Sequence, residues 1–122
     1  MTVPDATPTE DEGTATGGRT ADYEATSLEE LEATPHATVF PDAEPRTVRL
    51  SLAADERVPT HDHPGRDVLI HVLDGEIALE LNDETVAVEA GEFVRFPGET
   101  EVSPLARTDA TALVVLAPRA GD

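Results

Sequence analysis

Cysteine, lysine and tryptophan are all absent from the 122-residue chain. Without cysteine there are no disulfides, no iron–sulfur clusters and no thiolate zinc sites. Without lysine, every one of the eight basic residues is arginine, set against 26 acids and a net charge of -18. Such a surface repels nucleic acid and anionic membranes, whose binding needs clustered basic side chains. Aromatic residues are only 3% of the chain, so a core must be built from Val, Leu, Ile and Ala. No apolar run approaches the roughly 18 residues of a membrane-spanning helix. The first residues carry neither a basic nor an apolar block of a signal peptide, so the expected location is cytoplasmic.

Hydrophobic residues nevertheless make up 39% of the chain, enough for one domain. The acids are spread through the patterned region as well as the N-terminus. That distribution points to a salt-adapted, halophilic protein, because molar salt shortens the Debye length to roughly 3 Å and screens self-repulsion.

Residues 1–25, rich in Thr, Pro, Gly and acids, show no apolar periodicity and are expected to form a disordered acidic tail. Residues 26–33 are expected to form a short helix. Ser27 is its N-cap, Glu30 closes a capping box, and Leu28 and Leu31 share a docking face. From residue 34 to about 118 the period is that of strands. Nine are expected, at 36–40, 46–52, 57–61, 68–73, 76–81, 85–88, 92–96, 102–105 and 110–116, separated by turns such as Asp74-Gly75 and Asn82-Asp83. Many short strands with regular turns indicate an all-β sandwich or barrel, closed to protect its edges.

His61 and His63 carry the main chemical signal. Two apart in an extended segment, they project from one face at roughly 6.5–7 Å along the strand. They can converge on one divalent metal, or stand as two solvated turn histidines. Arg66 and Arg95 could each bind a carboxylate or phosphate of a ligand, or pair with neighbours such as Asp67, Glu92 or Glu99. His36, following Pro35, reads as a surface residue. No nucleophile elbow, P-loop or dinucleotide fingerprint is present.

The stretch His61-Asp62-His63-Pro64-Gly65-Arg66-Asp67 through Gly75 resembles the first conserved motif of the cupin family. Residues 91–98, where Gly91 precedes Pro97 by six, resemble the start of its second motif. The resemblance spans about residues 34–118. It implies a small double-stranded β-helix (jelly-roll) barrel with a pocket at its mouth, often forming a homodimer through sheet faces.

The resemblance also implies a metal site of two His and a Glu from the first motif and one His from the second. His61 and His63 match the two imidazoles. Val68 stands at the acid position and Val102 at or near the second-motif His. Asp67 and Glu101 are the nearest candidates for a third ligand to Fe, Mn or Zn. His71 occupies a position often aromatic in the family and is a candidate ligand-binding residue, with Arg66 and Arg95. Three functions follow as expectations: a small-molecule-binding barrel with a weak or degenerate metal site, a metal-dependent isomerase or dioxygenase acting on a small polar metabolite, or a dimerisation module.

Overall fold

The computed structural model describes residues 20–119. Most of the expected tail lies outside the described residues, and 20–25 are exposed and without regular structure. Eight strands follow: β1 (His36–Thr38), β2 (Arg46–Leu52), β3 (Arg66–Asp74), β4 (Glu76–Leu81), β5 (Glu84–Glu89), β6 (Phe93–Pro97), β7 (Val102–Ala106) and β8 (Ala110–Pro118). They form a five-stranded sheet, β1-β2-β8-β3-β6, and a three-stranded sheet, β5-β4-β7. Every neighbouring pair is antiparallel. No helix among the described residues is long and apolar enough to cross a membrane.

Alternation drives the packing. Val68, Ile70 and Val72 of β3 face inward and are almost fully buried. They meet Leu50 and Leu52 of β2, Ile77 and Leu79 of β4, and Val88 of β5 in one aliphatic core. Branched aliphatic side chains suit this pleated, inward-facing role.

Two expectations change. The third expected strand, at 57–61, is reduced to two isolated bridges, Arg57 with Leu105 and His61 with Val102. Pro59 cannot donate to a ladder, so regular pairing fails between the bridges. The expected helix is a single 3₁₀ turn, Leu28–Glu30, and Ser27 makes no side-chain cap. Pro35 leaves little room for a longer one.

What secures this segment is Arg49, a buried side chain on the outer face of β2. Its guanidinium donates to the carbonyls of Leu28 at 3.2 Å, Leu31 at 3.4 Å and Ala33 at 2.9 Å. Leu28 O also accepts from the Leu31 N–H at 3.2 Å, whereas so short a turn gives the Leu31 and Ala33 carbonyls no such backbone partner, and the buried guanidinium supplies one.

At the β3–β4 turn, Gly75 adopts φ 79. A side chain there would strike the Asp109 carbonyl oxygen and lie 2.7 Å from Thr108 Oγ1. Glycine meets both demands, the left-handed backbone and the close approach.

Candidate functional site

The segment carrying the paired histidines runs beside β7 and is held by backbone bonds. Val58 N–H donates to Pro104 O at 2.9 Å, and His61 exchanges bonds with Val102 at 3.1 and 2.8 Å. The buried Ser103 hydroxyl donates to Val58 O at 2.7 Å and accepts from Arg57 at 2.9 Å. His63 N–H then donates to Gly98 O at 2.7 Å, and Gly98 N–H to Arg66 O at 2.6 Å.

This places the His61 and His63 rings edge to face, with centroids 4.9 Å apart at 87°. His61 Nδ1 lies 2.7 Å from the Pro59 carbonyl. A carbonyl only accepts, so Nδ1 carries a proton, and the neutral tautomer this bond selects has its lone pair on Nε2. The two rings line a cavity of about 170 Å³ between the sheets. Its buried wall is hydrocarbon: Val48, Leu50, Val68, Ile70, Val102 and Leu116. Its more exposed end carries His36, Thr38, Arg46, His61 and His63.

Burial lowers the pKa of His63 below the ordinary histidine value, and the neighbouring His61, Arg66 and Arg46 add to this against an opposing pull from Asp62. Burial and then His61 lower His36 in the same way. Taking an imidazole partly out of water disfavours its charged form, and a second imidazolium nearby disfavours it further. Both shifts favour the neutral ring, which presents one donor and one acceptor.

The remaining candidate residues do not join them. Asp67 faces away from the cavity, between Arg95 at 3.3 Å and Arg119 at 3.8 Å. It is one residue before the inward-facing Val68, and a one-residue step along a strand reverses the face. Glu101 is exposed, and its backbone N–H is tied to Asn82 Oδ1 at 3.0 Å. His71 stacks on Phe93 at 4.1 Å on the outer side of the sheet and contacts Glu92 O through Nδ1. Arg66 is occupied by both oxygens of Glu44, at 2.8 and 3.0 Å, and by Leu116 O. Arg95 is paired with Asp67.

Conversely, His36 and Arg46, neither singled out by their sequence context, line the cavity. Strand pairing brings them in. His36 sits opposite Leu50, and Arg46 opposite Leu116, each partner a cavity-wall residue. No local motif signals this.

A four-ligand metal centre does not fit these donors. Val68 and Val102, at the positions where the family resemblance calls for a carboxylate and a third imidazole, are 1% and 2% exposed hydrocarbon. Among the described residues no three His, Cys, Asp or Glu side chains are grouped to hold an ion. Stable zinc or iron sites use three or four protein ligands.

Residues 48–117 match the cupin domain family, and the chain belongs to it. Its fold is similar to that of an RmlC-like cupin protein from Desulfovibrio desulfuricans, with 23% identity, a TM-score of 0.68, and 80% of this chain and 98% of that one covered. A cupin protein from Bacteroides fragilis is similar at 16% identity and a TM-score of 0.71, covering 84% of this chain and 90% of that one. KdgF from Halomonas sp. is similar at 17% identity and a TM-score of 0.61, covering 80% and 89%. No curated protein sequence matches the chain.

Proposed function

We propose that this cupin domain binds a small molecule in the cavity between its sheets, and that His61 and His63 contact it through hydrogen bonds. The observation that carries this reading is a hydrocarbon-walled cavity with polar side chains gathered at its solvent end. That is the usual build of a small-molecule site: apolar surface for affinity and a few placed polar groups for orientation. The two imidazoles supply donor and acceptor, with His61 held in one tautomer by Pro59.

The test is a thermal-shift screen of compact, apolar-bodied metabolites against wild type and Val114→Phe, which fills the cavity. Compounds that raise the wild-type Tm and leave the variant unmoved support the reading. A screen in which every hit stabilises both proteins equally overturns it.

A second reading, a metal-dependent enzyme, draws on the 4.9 Å approach of the two rings and the free Nε2 of His61. Two imidazoles would need water or substrate to complete the coordination of Fe, Mn or Zn, which makes a weak site. Metal content after purification without chelator decides it. Near-stoichiometric metal that is lost in His61→Ala/His63→Ala favours the enzyme.

The third, self-association as a homodimer, draws on Phe93, 67% exposed, and Leu73, 39% exposed. Sedimentation of wild type against Phe93→Asp distinguishes a dimer from a monomer.

A further inference from the structure

The lining of the cavity runs against the chain's acidic charge balance. The protein has 26 acids and eight arginines, yet no Asp or Glu lines the cavity, whose polar end holds Arg46 and three histidines. Arg46 and the exposed Arg107 are the two described arginines whose side chains make no hydrogen bond or ion pair, and of the two Arg46 alone lines the cavity. Arg57, Arg66, Arg95 and Arg119 are each paired with a carboxylate, and Arg49 with three carbonyls. The Arg46 guanidinium makes no side-chain hydrogen bond or ion pair among the described residues. Glu44, which feels its charge, has both oxygens bonded to Arg66. A guanidinium at a cavity mouth with its fork open is arranged for a planar anion.

The apolar part of the cavity sets the rest of the ligand. The whole cavity, polar end included, is about 170 Å³, close to the volume of an apolar protein cavity that holds benzene, about 150 Å³. The aliphatic wall offers no hydrogen-bond partner to a polyhydroxylated body, whose buried hydroxyls would go unpaired.

We infer that the cavity takes a small monocarboxylate with a compact apolar body of about benzene's size, its carboxylate held by Arg46 and its body packed against Val68, Ile70 and Val114. His63 and His36 line the same polar end and donate to that carboxylate or its water. The inference rests on the reading of the cavity as a small-molecule site and specifies the class that fills it.

The probes are benzoate and isovalerate, with benzamide as the uncharged isostere, titrated calorimetrically at fixed potassium chloride. The proteins are wild type, Arg46→Gln and Arg107→Gln, the last an exposed arginine outside the cavity lining. The expected result is that wild type and Arg107→Gln bind benzoate or isovalerate at least tenfold more tightly than benzamide. Arg46→Gln loses tenfold or more on the acids and nothing on benzamide. Equal affinity for benzoate and benzamide, or acid binding unchanged in Arg46→Gln, overturns the carboxylate assignment and leaves the small-molecule site standing. No binding of any of the three at millimolar concentration overturns both.

Discussion

His63 and Gly98 are locked backbone to backbone: the His63 N–H donates to the Gly98 carbonyl at 2.7 Å, and no atom larger than hydrogen fits on the Gly98 α-carbon. A Cβ there would run into the His63 carbonyl oxygen and lie 2.6 Å from Arg66 O. Backbone atoms cannot step aside as a flexible side chain would. Gly98→Ala is therefore expected to destabilise the domain by about 1–3 kcal/mol, as overpacking does, and to displace His63 from the cavity. Urea unfolding at fixed salt measures the first effect. Gly65→Ala is a useful comparison, since a Cβ there meets nothing within 4 Å and only the φ of 80 is strained. A Gly98→Ala protein as stable as wild type would contradict this packing.

Arg49 predicts a local effect. Arg49→Leu removes three charge-assisted bonds to the 28–33 carbonyls, a change on the order of 1.5–3 kcal/mol per such bond at most. Amide hydrogen exchange in residues 28–33 should rise at least tenfold, while Leu50 and Val68 in the core stay protected. Unchanged exchange in 28–33 would show that the leucines, not the arginine, hold the segment.

The pH dependence has two windows. Glu99 is held at about 2, first by the Gly65 N–H at 3.0 Å and then by Arg119 at 2.6 Å. Its folded pKa is depressed, so its stabilisation is present above 4.5 and disappears as pH falls toward 2. His63 and His36 are also depressed, from 6.5. The unfolded chain protonates first there, so stability falls as pH drops through 6.5. The difference in stability between wild type and His36→Gln/His63→Gln should change through the upper window only. The difference from Glu99→Gln should change only in the lower. Titrating chemical unfolding across both ranges checks the assignment.

Net charge predicts salt dependence. At -18, self-repulsion opposes the compact state and is screened as the Debye length shortens. Tm should climb steadily from dilute buffer to molar potassium chloride, as expected of a salt-adapted protein. A flat or falling profile would remove that reading.

The fold was legible because alternation is local: Ile77, Leu79 and Val88 declare a buried face by period alone, and the structure buries them. The motif around His61 and His63 likewise pointed to the family that the match over 48–117 establishes. The rest of the site was not legible for the opposite reason. His36 and Arg46 reach the cavity only through pairing of β1 with β2 and of β2 with β8, a relation between distant residues. Arg66 stands out as a cation in so acidic a chain, yet Glu44 claims it across 22 positions. The strand expected at 57–61 is reduced to two bridges because Pro59 has no N–H to give a ladder.

The most direct test of the account is methyl NMR of the selectively labelled protein titrated with benzoate. Saturable shifts are expected to concentrate at Ile70, Val68, Val114 and Leu116, the aliphatic wall of the cavity. Shifts confined to the outer face around Leu73, or none at all, would contradict it.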